Sequence, residues 1–99
     1  MRAALAILAM TVATASAHEA PTGWSYGWEC CSGFDCRQLP QGAVATTPDG
    51  YLIKATGEVI GYGDKRLRTS RDGFYHQCTP GGDPAAKRSI CLYAPGMGS

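Results

Sequence analysis

The chain has 99 residues, and the first seventeen have the features of a removable leader, which leaves 82 residues and enough chain for one small domain. About 38% of those 82 residues are hydrophobic, below the usual share for a globular domain. Eight basic residues then balance eight acidic ones, which argues against nucleic acid as a partner. These figures exclude multidomain enzymes, dinucleotide-binding folds, large barrels and multispan membrane proteins.

The first seventeen residues have the three parts of a signal peptide. Arg2 supplies the positive start, an apolar stretch of Ala, Leu, Ile and Val follows, and Ala15-Ser16-Ala17 is a small-x-small cleavage site. The apolar stretch is shorter than the ~20 residues that a spanning helix needs. We therefore expect cleavage after Ala17, no membrane span after processing, and a periplasmic or secreted protein in an oxidising compartment.

The remaining residues, 18–99, are expected to form one domain with an N-terminal arm over 18–38 and a sheet over 43–93. The start of the arm is rich in Gly, Pro and aromatic residues and has no periodicity, so it is predicted to be irregular. Residues 29–38 are expected to form a short helical turn or a tight loop held by cysteines.

Short runs of β-forming residues separated by Gly and Pro predict the sheet. The Asp72-Gly73 pair predicts a hairpin turn, with His76 and Cys78 on one face of the next strand and Tyr75 and Gln77 on the other. A charged edge strand is expected at 65–69 and a short turn of helix at 85–88. The predicted fold is all-β: a small antiparallel meander or SH3-like half-barrel held together by disulfides, with an irregular cysteine-containing arm. The other predicted strands cover residues 43–47, 51–54, 58–60, 74–78 and 89–93.

The five cysteines are candidates for disulfides, because the expected compartment is oxidising and the apolar core is thin. A bridge between the arm and the sheet would close a long loop and stabilise the fold by about 4 kcal/mol on the chain-entropy model. We expect two bridges, at least one of them from arm to sheet, with adjacent cysteines bonded to different partners and one cysteine left over. A zinc site is the alternative, but the spacings match none of the common paired-ligand patterns. The five are Cys30, Cys31, Cys36, Cys78 and Cys91.

The two histidines raise the possibility of copper, although no cofactor is otherwise indicated. Cleavage after Ala17 makes His18 the first residue, whose amine and imidazole together resemble half of a histidine brace, and His76 would complete it. The plainer interpretation is that His18 begins a tail and that His76 is a hydrogen-bonded strand residue beside Cys78.

No catalytic motif is present, and a domain of this size has little room for a large pocket, so we expect a non-enzymatic protein. Its aromatic residues either line a sugar-stacking surface or replace the missing aliphatic core. Its local basic residues either meet an anionic partner or form a solvated strand edge. The sequence therefore favours a small binding or structural module of the bacterial envelope, with a protein or a glycan as partner. The candidate surface consists of Trp24, Tyr26, Trp28, Lys65, Arg66 and Arg68.

Four segments carry a resemblance. The run from Trp28 to Cys36 reads Trp-Glu-Cys-Cys-Ser-Gly-Phe-Asp-Cys, the run from Asp72 to Cys78 reads Asp-Gly-Phe-Tyr-His-Gln-Cys, and Cys91 begins Cys-Leu-Tyr-Ala-Pro. With Thr-Pro-Asp-Gly-Tyr at 47–51, the sequence resembles a group of small exported proteins of rhizobia-like alphaproteobacteria and their phages. The resemblance implies export and a cysteine-held body, and it transfers no catalytic or binding residue.

Overall fold

The structure, a computed structural model, describes residues 19–30 and 35–96. These residues form an all-β fold, as predicted, and their only helical element is a 3₁₀ turn at Pro80–Gly82. In the same residues no helix is long and apolar enough to cross a membrane. The strands are β1 (Cys36–Gln38), β2 (Val44–Thr47), β3 (Gly50–Ile53), β4 (Glu58–Ile60), β5 (Leu67–Thr69), β6 (His76–Cys78) and β7 (Cys91–Ala94).

Strands β2, β3 and β4 form a three-stranded antiparallel meander, which we call the small sheet. Its first turn is closed by Thr47, whose hydroxyl accepts the backbone N–H groups of Asp49 and Gly50. In the second turn, Gly57 adopts a φ of 82° and donates its N–H to the carbonyl of Ile53. Local turn chemistry therefore shapes the whole of this sheet, and the predicted strands agree with it closely.

The other four strands form the large sheet, in the order β1-β6-β7-β5. Strand β5 lies at its edge, as its charged sequence predicted, but it pairs in parallel with β7. Asp72-Gly73 is therefore not a hairpin turn, since β7 lies between β5 and β6. The Asp72 carboxylate accepts the backbone N–H of Phe74 instead, which turns the chain without pairing the flanking strands.

Two further expectations differ from the structure. The segment 29–38 was expected to contain a helical turn or a loop, but its end forms β1, the second edge of the large sheet. Residues 85–88 do not form a helix. The two sheets over residues 36–94 are separate and form no closed barrel, in agreement with the predicted small, open, disulfide-held β fold. Since β1 begins at Cys36, the irregular part of the described chain is residues 19–30, and "the arm" means these residues below.

The large sheet is the middle of three layers. One of its faces packs against the small sheet through a cluster that includes Leu67, Leu92 and Ile60. The opposite face carries Cys91 and Tyr93 and is covered by the arm. Tyr75 packs toward the small sheet, while Cys78 and the ring of His76 meet the arm, so the predicted alternation of faces along this segment is confirmed.

A polar network also connects the two sheets. Glu58 of the small sheet accepts hydrogen bonds from the backbone N–H and the hydroxyl of Ser89, and it forms a 2.9 Å ion pair with Arg66. Ser89 accepts a further bond from the amide of Gln77 in β6. Each of these buried polar groups has a partner, which is the condition under which such groups are tolerated between layers.

Candidate binding surface

Two disulfides hold the arm and the strands in place. Cys30 at the end of the arm is bonded to Cys91 in β7, and Cys36 in β1 is bonded to Cys78 in β6. The prediction of two bridges, at least one of them from arm to sheet, is confirmed for the described residues. Cys31, the fifth candidate, lies outside them.

Asp72 is the main polar contact between the arm and the rest of the domain. Its Oδ2 accepts hydrogen bonds from the Thr22 hydroxyl at 2.5 Å and from the Trp24 indole N–H at 3.0 Å, and its Oδ1 accepts one from His76 at 2.8 Å. Partial burial opposes ionisation, but the bonds from Thr22, His76, Trp24 and the backbone of Phe74 outweigh it and hold the pKa of Asp72 well below its usual range. An ionised Asp72 thus fastens the arm.

His76 is completely buried and uses both ring nitrogens in hydrogen bonds. Its Nε2 lies 2.8 Å from the Asp72 carboxylate and its Nδ1 lies 2.8 Å from the Tyr26 hydroxyl. Because an ionised carboxylate only accepts, Nε2 carries a proton toward Asp72, while Nδ1 and the Tyr26 hydroxyl share the second bond. Copper at His76 would have to displace one of these bonds, and His18 lies outside the described residues. Residues 19–30 and 35–96 contain no group of three metal-binding side chains.

Trp28 is the most exposed large hydrophobic residue that the structure describes, with 74% of its surface accessible. It lies in a turn whose two ends are fixed. Before it, the Gly27 N–H donates to the Tyr93 hydroxyl, and after it, Cys30 is bonded to Cys91. The indole is therefore held outward by the backbone and does not belong to a loose end.

One of the predicted basic residues, Arg68, contacts this turn, and it also contacts a second one, Lys65. Arg68 forms a 3.5 Å ion pair with Glu29, the residue after Trp28, and donates to the carbonyl of Lys65. Lys65 is exposed and has no ion pair within the described residues. We call Trp28, Glu29, Lys65 and Arg68 the Trp28 surface.

The other three predicted surface residues make contacts inside the domain. Tyr26 is buried against His76, and Trp24 is half-buried with its N–H on Asp72. Arg66 pairs with Glu58 and Asp64, and its hydrogen bonds lower the pKa of Asp64 to about 2. The structure thus connects Arg68 to the residue after Trp28 and to the carbonyl of Lys65, whereas Trp24, Tyr26 and Arg66 make their contacts with Asp72, His76 and Glu58.

A cleft that the sequence did not predict lies where β1 ends and β6 begins. Its volume is about 180 Å³, and its walls are residues 39–42 and 73–75. Pro40, Gly42 and Gly73 are residue types that indicate turns in a sequence. However, the two turns lie side by side only because β1 pairs with β6. Since β1 was expected to be a loop, no pattern in the sequence placed these two segments side by side.

We compared the chain with known proteins to look for an independent indication of function. No family model, curated protein or solved structure matches it.

Proposed function

We propose that the chain is an exported, non-enzymatic binding domain of the bacterial envelope, and that it binds its partner through the Trp28 surface. The observation that carries the proposal is the exposure of the Trp28 indole on a turn that a disulfide and a backbone hydrogen bond hold in place.

A fixed, exposed indole is costly in water and useful in recognition. Fully burying a large apolar side chain is worth about 1.5–3 kcal/mol, and this stabilisation is not obtained within the domain. Tryptophan and arginine are the residue types that most often dominate binding energy at interfaces. Arg68 pairs with Glu29, the residue after Trp28, and the turn that carries Trp28 is held in place before a partner arrives, which lowers the entropic cost of association.

The charges at this surface favour a partner with acidic groups. Lys65 lacks an ion pair in the described chain, and Arg68 is only partly neutralised by Glu29 at 3.5 Å. An envelope protein or glycan that carries carboxylates or phosphates would complement both side chains.

The arrangement around His76 supports a role other than catalysis. Asp72, His76 and Tyr26 are joined by hydrogen bonds in the order that a proton relay would use. However, His76 is inaccessible and Tyr26 is only 6% exposed, because the arm, which includes Tyr26, packs against the large sheet. This relay orients the arm and offers no surface to a substrate. Two disulfides, which persist in oxidising compartments, support export.

Co-sedimentation of the oxidised protein with purified bacterial cell-wall sacculi and with envelope membranes tests the proposal. We expect retention that weakens at high salt and falls at least about tenfold in Trp28→Ala, the equivalent of 1.4 kcal/mol. Lys65→Gln should weaken binding less and reduce its dependence on salt.

Val59→Ala is the matched control, because Val59 is also an exposed apolar residue but lies on the small sheet. It should bind like the unmodified protein. Equal retention of the Trp28→Ala and Val59→Ala variants, or no retention of any of them, would contradict the proposal.

A further inference from the structure

The cleft between residues 39–42 and 73–75 is built on a rigid frame. Leu39 follows β1 and Tyr75 precedes β6, and the Leu39 N–H donates to the Tyr75 carbonyl at 2.8 Å. The two strands pair directly, and the Cys36–Cys78 disulfide joins them. Both walls are thus attached to one cross-linked strand pair, so the cleft exists before any ligand binds.

The lining combines apolar surface with unused hydrogen-bonding groups. Leu39, Pro40, Phe74 and Tyr75 contribute aliphatic and aromatic surface. The backbone N–H groups of Gln41, Gly42 and Gly73 have no partner within the described chain, and neither does the Tyr75 hydroxyl. The Tyr75 hydroxyl is not among the buried side-chain atoms that lack a partner, so it reaches the surface. No lining residue carries a charge.

We propose that this cleft binds one pyranose ring of a neutral glycan. A sugar ring has apolar C–H faces that pack on aromatic rings and hydroxyl groups around its rim that donate and accept hydrogen bonds. The cleft offers both kinds of partner and no charge to attract an ion. Its volume of about 180 Å³ is close to that of cavities of about 150 Å³ that hold a single six-membered ring.

A proline-rich peptide is the competing occupant, because it also binds to aromatic grooves. Such a peptide rises about 3.1 Å per residue and needs a series of neighbouring pockets. The cleft has room for one ring, and a proline ring has no hydroxyl to pair with the unused groups. The lining therefore favours the sugar. This site uses none of the residues of the Trp28 surface, so the inference goes beyond the proposed function.

The test is a titration of the isotope-labelled, oxidised protein, followed by backbone amide NMR. The probes are two neutral oligosaccharides, the tetramers of N-acetylglucosamine and of α-1,4-linked glucose, and a proline-rich peptide. We expect at least one oligosaccharide to shift the amides of residues 39–42 and 73–75 with a Kd of about 1 mM. Tyr75→Phe, which removes only the hydroxyl, should weaken binding several-fold, and Phe74→Ala should abolish it.

Two controls separate this inference from the proposed function. Val59→Ala and Trp28→Ala should both leave the oligosaccharide-induced shifts unchanged. Shifts confined to the neighbourhood of Trp28 would overturn the cleft and support the Trp28 surface. The proposal would also be contradicted if neither oligosaccharide shifted these amides, or if only the peptide did. It would equally be contradicted if the oligosaccharide-induced shifts persisted in a Phe74→Ala variant with an otherwise native spectrum.

Discussion

At the scale of single residues, Gly50 occupies a position that no larger residue can take. Its φ is 145°, and a Cβ atom built on it would lie 2.2 Å from the carbonyl oxygen of Ile60 in the neighbouring strand. We expect Gly50→Ala to destabilise the fold by about 3 kcal/mol or more, because the backbone of β4 must move or the turn must be strained. Urea denaturation measures the change in the free energy of unfolding.

Gly63→Ala provides the control for this substitution. Gly63 has an ordinary φ and nothing within 4 Å of the position of a Cβ atom. Alanine there should be neutral or slightly stabilising, since it lowers the entropy of the unfolded chain. Similar losses for the two variants would show that the close approach at Ile60 is not important.

Asp72 makes the stability of the domain sensitive to acid. The hydrogen bonds that hold its pKa below the unfolded value of about 3.9 stabilise the fold fully only above that value. As the pH falls below about 4, the unfolded chain takes up a proton first, and this contribution is progressively lost. We expect the melting temperature to fall in this range, with release of the arm reported by the fluorescence of Trp24, whose N–H is on Asp72.

The Asp72→Asn variant should be less stable at neutral pH and should lose part of the dependence on acid. Asp49→Asn, which alters an exposed turn residue, serves as the control and should keep that dependence. An unchanged acid profile in Asp72→Asn would show that other groups cause the transition.

At the scale of elements, the two disulfides are expected to contribute similarly to stability but differently to structure. They close loops of 61 and 42 residues, and on the chain-entropy model this difference is worth less than about 0.5 kcal/mol. Paired replacement by alanine should therefore cost similar amounts, about 2–5 kcal/mol each. Hydrogen exchange should separate the two variants.

Loss of Cys30–Cys91 should raise exchange in the arm and at the Gly27 N–H, which bonds to Tyr93, while the large sheet stays protected. Loss of Cys36–Cys78 should raise exchange in β1 and around the cleft. Identical exchange patterns in the two variants would contradict this division of roles.

The elements that could be predicted from the sequence are those that local chemistry determines. Strand β4 and the turns around Gly50 and Gly57 follow from turn residues next to β-formers, and the charge of β5 marked it as an edge. Strand β1 is three residues long and its pairing with β6 spans about forty residues, which no local pattern records. The prediction of a hairpin at Asp72-Gly73 was wrong because the Asp72 carboxylate turns the chain by accepting the Phe74 N–H, so the turn needs no paired strands on either side.

The sequence predicted the candidate surface from residue type alone, so it was right only for those residues that are exposed in the fold. Trp28, Lys65 and Arg68 were expected at the surface and lie there, while Trp24, Tyr26 and Arg66 have the same residue types but are held inside by Asp72, His76 and Glu58. The sequence does not distinguish these two groups, because their partners are about fifty residues or eight residues away. The cleft was not predicted because, like β1, it depends on a pairing between segments about forty residues apart.

At the scale of the whole molecule, four of the five cysteines are bonded, so the oxidised chain should carry one free thiol, that of Cys31. Intact mass spectrometry after alkylation without reduction should show a single added label. Reduction before alkylation should raise the number to five. No label, or three labels, on the unreduced monomer would contradict the pairing.

The central strands of the large sheet, β6 and β7, follow the other five strands in the chain and are made after them. On the proposed export route, Cys30, Cys31 and Cys36 emerge first and meet only one another, whereas the partners of Cys30 and Cys36 arrive some forty to sixty residues later. Early oxidation would therefore trap wrong pairs, and thiol exchange must undo them before the domain matures. A host strain without a disulfide isomerase should accumulate scrambled protein, even if its oxidase is intact.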